Sequence, residues 1–195
     1  GQQIDVDGNS QLLAKGPEGG GLIQVGGSWQ NSKKSVRQAF QSTVEQGALL
    51  DASATVNGDG GEIVVWSDIT EPYSLTTVAG SLFAEAGIAG GDGGRIETSG
   101  SELNIAGIDI STYSELGASG LWLLDPTDFK IGSTAAAEIV TALDGNNNVT
   151  ILVGSGACSA SYVGGDSCSS LNQSAGGGSD DRIIIDHDIS SSGSS

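Results

Sequence analysis

The sequence predicts an all-β protein in which short parallel strands stack in consecutive repeats. Glycine accounts for 32 of the 195 residues and hydrophobic residues for only 37%, a composition that suits narrow strands joined by tight turns. Three segments also align with one another without gaps around a glycine-rich turn. Each segment is too small to bury its own apolar face, so neighbouring segments must cover one another. These features are typical of a stacked repeat protein.

The repeated unit opens with a glycine and a short apolar strand, and a second strand leaves the glycine turn that follows. The three copies span about residues 47–66, 80–99 and 107–126, and a fainter copy begins at Gly8. Unequal spacing between copies is expected, because insertions can leave a stack at its corners. Stacking the copies in register predicts two apolar columns: Leu49 with Leu82 and Ile108, and Ile63 with Ile96 and Leu123.

Two other all-β architectures fit parts of this pattern. A β-sandwich also has many short strands and glycine turns, but it does not require gapless repeats. The calcium-binding nonapeptide β-roll has the motif GGxGxDxUx. The segment Gly90–Gly94 resembles that motif only superficially, because its aspartate lies between the glycines and the motif is not tandem. The repeats therefore favour stacked parallel strands.

Two segments interrupt the repeats. Residues 31–41, NSKKSVRQAFQ, hold three of the seven basic residues and predict a loop or short helix that projects from a corner. Residues 133–143 predict a short helical insertion, with Ser133 or Thr134 as its N-cap and Gly145 near its end. Strands are predicted over residues 149–153 and 182–186. Both ends of the chain look like interrupted repeats, so we expect a fragment of a longer protein.

The charge balance narrows the classes of partner. With 24 acidic and 7 basic residues, the formal net charge is −17, which disfavours nucleic acid and anionic membranes as partners. No window has the apolar length of a membrane span, and no signal peptide opens the chain.

The two cysteines, Cys158 and Cys168, lie in a stretch rich in glycine and serine. Their close spacing in polar sequence predicts a local disulfide that closes a small loop in an oxidising compartment. Free thiols are the alternative, and no further ligand has the spacing of a zinc site.

The blocks GDGGEIVVWSD, GGDGGRIETSG and GLWLLDPTDFKIG resemble those of filamentous-haemagglutinin-like exoproteins. These are the large secreted partners of two-partner secretion systems in Gram-negative bacteria. The resemblance covers about residues 47–153, including TALDGNNNVTILV near its end. It implies a right-handed parallel β-helix (solenoid) that leaves the cell through a dedicated outer-membrane transporter. It also implies a place on the bacterial surface and, for most members, a role in adhesion.

On this basis we expect residues 1–153 to form a β-helix shaft. Residues 154–195 are expected to continue it, with a Gly/Ser-rich, disulfide-closed loop and a final strand. The expected function is that of a non-enzymatic structural and adhesive segment without a metal or other cofactor. Its partners are then the outer-membrane transporter, an unidentified surface receptor or glycan and, end to end, further copies. A filament-forming matrix component is the alternative.

An enzymatic role would need carboxylates clustered on one face, with a cation to stabilise charge. Asp109, Asp125 and Asp128 are the candidates, but in the gapless alignment they do not share a column with Asp59 or Asp92. The sequence therefore favours structural roles for these aspartates, and a carbohydrate-active β-helix enzyme is a rival class.

The single histidine and the three tryptophans are the other candidates for a site. His187 lies between two aspartates, but in a strand those carboxylates point to one face and the imidazole to the other. This alternation disfavours a shared metal ion, and a haem or metal carrier is a second rival class. Trp29, Trp66 and Trp122 either pack inside the protein or offer ring faces to a ligand such as a sugar.

Overall fold

The computed structural model describes residues 2–127, 129–152, 160–162 and 183–185. Over these ranges the chain is mostly β-structure, with parallel sheets and one α-helix. The elements are, in chain order, β1 (Gln3–Val6), β2 (Gln11–Leu13), β3 (Leu22–Val25), β4 (Gln41–Val44), β5 (Leu49–Asp51), β6 (Glu62–Trp66), β7 (Leu75–Val78), β8 (Ser81–Phe83), β9 (Arg95–Gly100), β10 (Glu102–Asn104), β11 (Asp109–Ser111), β12 (Leu121–Pro126), β13 (Phe129–Ile131), α1 (Ser133–Asp144), β14 (Asn148–Ile151), β15 (Ala160–Tyr162) and β16 (Ile183–Ile185).

Three sheets share the strands in a regular rotation. The first sheet has the order β1-β4-β7-β10, the second β2-β5-β8-β11, and the third β3-β6-β9-β12-β14-β15. Every pair in them is parallel except β14 with β15, and β13 pairs separately with β16. Three consecutive strands thus contribute one strand to each sheet, and we call such a set a rung. The parallel sheets agree with the stacked strands expected from the sequence.

The register of the second sheet differs from the gapless alignment. Leu50 pairs with Leu82, and Leu82 pairs with Ile110, so these three side chains form the buried column. The predicted column contained Leu49 and Ile108 instead, one and two positions away. Leu50 and Ile110 each follow the opening glycine of their repeat by three residues, whereas Leu82 follows its glycine by two, so the repeats differ in length by one residue at this corner. An alignment without gaps moves that difference into the strands.

In the third sheet, the pairing of Ile63 with Ile96 agrees with the alignment. The next residue in this column is Trp122 and not Leu123. Because side chains alternate between the faces of a strand, the shift places Leu123 on the outer face and Trp122 in the core. Both side chains are buried, so hydrophobicity alone could not distinguish the two registers.

A glycine pair closes each of the first three rungs between the second and third sheets, and Ser119 with Gly120 closes the fourth. In the second and third rungs, the N–H of Gly61 donates to the carbonyl of Ala52 (2.8 Å) and that of Gly94 to Ala84 (2.7 Å). The glycine before Gly61 packs against this bond in the next rung: a Cβ on Gly60 would lie 2.1 Å from the Ala84 oxygen. A side chain has no room there, which explains the paired glycines of the repeat.

Helix α1 takes the place of a second-sheet strand between β13 and β14. It contacts both of these strands and also β11, the last strand of the second sheet. One face of the helix is buried in the core. Its N-cap is Gly132, without a side-chain cap bond, so the predicted capping by Ser133 or Thr134 is wrong. Both hydroxyl residues lie inside the first turn and are exposed. The helix therefore covers the end of the second sheet.

The buried side chain of Asn147 replaces the hydrogen bonds of a missing strand. Its Oδ1 accepts from the Thr112 N–H (2.6 Å) and hydroxyl (2.9 Å), and its Nδ2 donates to the Ala142 carbonyl (2.6 Å). Thr112 directly follows β11, so a side chain satisfies the sheet edge that the helix leaves without a strand partner.

Replacing Asn147 with alanine is expected to lower the free energy of unfolding by about 2 kcal/mol, because the buried Thr112 N–H would lose its acceptor. Urea denaturation would measure the loss. The control is Asn148→Ala at the neighbouring exposed position, where solvent replaces the lost hydrogen bonds and the cost should stay below about 1 kcal/mol. Equal losses in the two variants would contradict the role assigned to Asn147.

Candidate functional site

Residues 26–40, between β3 and β4, cover part of the outer face of the third sheet. The Trp66 indole N–H donates to Gln38 Oε1 (2.8 Å). A Cβ on Gly27 would lie 2.4 Å from the Trp66 side chain, so the segment packs directly on the ring. Of residues 31–41, which the sequence predicts as a loop or short helix, Gln38 is anchored to the sheet and the basic side chains are exposed.

A 3-10 turn at Trp29–Asn31 holds this segment in place. Gln30 and Asn31 have φ values of 45° and 49°, a left-handed conformation that is uncommon for residues with a side chain. The Gln30 N–H donates to Oε2 of Glu97 in β9 (2.8 Å). A carboxylate of the sheet thus anchors a strained turn.

Glu97 is fully buried beneath this turn, and the Ser99 hydroxyl donates to its Oε1 (3.0 Å). Burial raises the pKa of the Glu97 carboxyl to about 7, although the hydrogen bonds from Gln30 and Ser99 act in the opposite direction. The negative charges of Asp125 and Glu62 raise this pKa further. Burial also raises the pKa of Asp125 to about 6. Two carboxyls with raised pKa values therefore lie in adjacent strands.

A shallow groove runs across the rungs beside the turn, with Trp29 at one side. The Arg95 guanidinium lies 4.5 Å from the centroid of the Trp29 ring. Arg95 also forms an ion pair with Glu62 of the preceding rung, with 2.5 Å between Nη2 and Oε2. The floor of the groove consists of corner residues from four rungs, seven glycines and one serine: Gly20, Gly21, Gly60, Gly61, Gly93, Gly94, Ser119 and Gly120.

Asp59 and Asp92 line the same groove and are exposed. Asp59 Oδ1 accepts the backbone N–H of Asp92 (2.8 Å), and Asp92 Oδ1 accepts that of Ala118 (2.8 Å). Each carboxylate therefore ties its own turn to the next one. The stack therefore fixes the positions of both aspartates.

The structure separates the three tryptophans. Trp122 lies in the core, where its indole N–H donates to the Thr98 hydroxyl (3.1 Å), and Trp66 lies under residues 26–40. Neither ring offers a face to a ligand, which corrects the predicted ligand contact at these two positions. Trp29 is partly exposed and lines the groove.

Sequence reasoning missed Arg95, Glu62 and Glu97 as members of this site. A signal for the ion pair was present, because Glu62 and Arg95 occupy equivalent positions in two aligned repeats and carry opposite charges. No comparable signal marked Glu97. Its burial depends on residues 26–40, which do not follow the repeat.

The remaining candidates do not form a cluster in the described part of the chain. Asp109 is exposed in β11, and Asp125 is partly buried beside Glu97. Among the described residues, no group of three or more His, Cys, Asp or Glu side chains is placed to hold a metal ion. The other predicted site residues lie outside the described ranges: Asp128, Cys158, Cys168 and His187.

Within the described ranges, no helix combines the length and the apolar character needed to cross a membrane. A scan against protein-family models found no match to the chain, and a comparison with curated proteins found no significant match.

Proposed function

We propose that the chain is a non-enzymatic shaft segment of a large secreted bacterial surface protein of the filamentous-haemagglutinin-like type, where it mediates attachment. The architecture that we propose for it is a right-handed parallel β-helix. The observation that carries this proposal is the parallel pairing of three sheets through four successive rungs. A stack of this kind forms an extended element whose length grows with the number of rungs.

The residues behind the family resemblance support this proposal through their positions. The block WLLDP forms β12, with Trp122 and Leu124 in the core and Leu123 on the outer face of the third sheet. The glycines of the GDGG blocks close the corners of the rungs. The blocks that resemble those of filamentous-haemagglutinin-like exoproteins are therefore the ones that build the stack. A shared architecture would account for the resemblance.

Export and localisation form part of the same proposal. We propose that the full-length protein leaves the cell through an outer-membrane transporter of the two-partner type and acts on the cell surface. The resemblance supports this route, and the net charge of −17 suits a protein that stays soluble outside the cell. Its ligands are then molecules on the surfaces to which the bacterium attaches.

The carboxylates of the site have structural roles, and this supports the non-enzymatic part of the proposal. Asp59 and Asp92 accept backbone N–H groups of the following turn, and Glu97 is covered. Incubation with acidic polysaccharides should therefore yield no new reducing ends and no unsaturated products. Turnover that disappears in an Asp125→Asn variant would contradict this part and favour a carbohydrate-active enzyme.

Attachment can be measured with beads coated with the chain. We expect the coated beads to resist washing from epithelial cells or from a biofilm matrix better than beads coated with the heat-unfolded chain. The folded stack is the working element, so unfolding should remove the effect. Equal retention of the two bead types on every surface would contradict the adhesive function.

A filament-forming role is the second candidate, and one observation favours it. In the described part of the chain, consecutive rungs pair with one another through parallel strands. Strands of this kind can also pair between copies. Sedimentation that becomes faster with increasing protein concentration would support self-association, and a constant monomer would exclude it.

A further inference from the structure

We infer that the groove beside Trp29 binds a neutral, linear polysaccharide, with one sugar ring against the indole and the strand lying across the rungs. This inference rests on the proposed adhesive function, because it names the class of ligand that the segment attaches to. Three features of the groove lead to it: a restrained aromatic ring, a floor made mostly of glycine, and a negative local charge.

Two sets of contacts restrain the ring of Trp29. The Arg95 guanidinium stacks at 4.5 Å from its centroid, and the ion pair with Glu62 holds that guanidinium in place. The turn that carries Trp29 is anchored by the bond from the Gln30 N–H to Glu97. A ring that is already ordered loses little conformational entropy on binding, which favours affinity.

The turn that carries Trp29 contains unfavourable features, and a segment that only covers a sheet would not need them. Gln30 and Asn31 are left-handed, and Glu97 is a carboxylate without exposure to solvent. Strained backbone and buried charge concentrate at functional sites, where the surrounding fold stabilises a geometry needed for binding. The partly exposed indole is the group that these costs position.

The floor of the groove matches an extended chain of sugars. Its glycines come from consecutive rungs, which repeat at ~4.8 Å, the spacing of hydrogen-bonded strands. One pyranose unit in a linear polysaccharide has a similar length, so successive sugars meet successive rungs.

The side chains around the floor suit sugar rings. Trp29, Leu22 and Leu121 give apolar contact for ring C–H groups. Asn148 and Asp92 add an amide and a carboxylate at the rim, which can exchange hydrogen bonds with sugar hydroxyls. A few polar groups around an apolar platform are typical of small-molecule sites.

The charge of the groove selects a neutral polymer. Glu62, Asp59 and Asp92 carry three negative charges against the single positive charge of Arg95, in a chain whose net charge is −17. Uronate or sulfate groups would meet repulsion along the whole groove. Neutral hexoses do not carry that cost.

Isothermal titration of the chain with three neutral hexasaccharides, cellohexaose, mannohexaose and chitohexaose, tests the inference. We expect at least one to bind with a dissociation constant between about 10 µM and 1 mM, and hexagalacturonate to bind at least ~10-fold more weakly. Trp29→Ala should weaken binding at least ~10-fold. The matched control is Tyr113→Ala, an exposed aromatic residue that does not line the groove, and its affinity should equal that of the unmodified chain.

Tryptophan fluorescence gives a second readout. Trp66 and Trp122 are buried, so a change in emission on addition of sugar reports on Trp29. Circular dichroism and the urea midpoint of Trp29→Ala establish that the variant is folded. Absence of binding by all three neutral sugars, equal binding by Trp29→Ala, or preference for hexagalacturonate would each overturn the inference. If the sugars fail while coated beads still attach, the groove inference falls alone. If a sugar binds while beads do not attach, the adhesive function falls.

Discussion

Replacing Gly60 with alanine is expected to destabilise the protein by at least ~3 kcal/mol. The new Cβ would lie 2.1 Å from the Ala84 carbonyl oxygen and 2.5 Å from the Gly94 nitrogen, the two atoms that share the closing bond of the next rung. Gly60 does not have a left-handed φ, so the effect is steric and does not come from backbone strain. Because the obstructing atoms belong to the backbone, relief requires two rungs to separate.

The measurement is the urea midpoint of Gly60→Ala, with Gly132→Ala as the matched control. Gly132 has extended backbone, and nothing lies within 4 Å of a Cβ placed on it. Its replacement should cost less than about 1 kcal/mol, the usual effect of losing a glycine N-cap. A loss below 1 kcal/mol at Gly60 as well would show that the rungs do not pack at the distance described.

Glu97→Gln is expected to stabilise the protein at pH 8 by up to about 3 kcal/mol and to have little effect at pH 4. The pKa of Glu97 is raised from 4.5 to about 7, mainly by burial. An uncharged glutamine avoids the cost of burying a carboxylate. It retains an oxygen to accept the Gln30 N–H and an amide to donate to Ser99.

The direction of this effect follows from proton linkage. Between pH 4.5 and about 7 the folded state holds the Glu97 proton more tightly than the unfolded state, so stability falls as the pH rises. Below this window the carboxyl is neutral in both states and the cost is absent. Above it the carboxylate is charged in both states and the full cost remains. Asp125, with its pKa raised to about 6, adds a contribution of the same sign.

Free energies of unfolding at pH 4, 6 and 8 would measure the effect as a difference between variant and unmodified chain. The control is Glu102→Gln in β10, an exposed glutamate whose replacement should change stability by less than ~0.5 kcal/mol at each pH. A Glu97→Gln variant that is destabilised at pH 8 would show that the carboxylate is more stable in its buried site than burial implies.

The sequence predicted the parallel sheets because corner glycines and apolar strands recur visibly in it. It did not predict the register, since Leu49 and Leu50, like Leu123 and Trp122, are adjacent hydrophobic residues that fit either face. Only the pairing across rungs decides between them. A one-residue difference in a corner is sufficient to change that pairing.

The helix and the site show two further limits of the sequence. The sequence of α1 predicts a helix, but its place at the end of the second sheet depends on contacts with β11 that no local pattern encodes. The burial of Glu97 depends on residues 26–40, which belong to no repeat and reach the sheet through single bonds such as that from Gln30. Alternation predicts that Glu97 faces outward, and the covering segment then buries it.

The direction of the inter-strand hydrogen bonds has a mechanical consequence. These bonds lie along the axis on which the rungs are stacked. A force along that axis therefore breaks the bonds of one rung before those of the next. Each rung that detaches releases roughly 100 Å of extended chain, while the rungs behind it remain paired. A stack built in this way therefore lengthens under load one rung at a time.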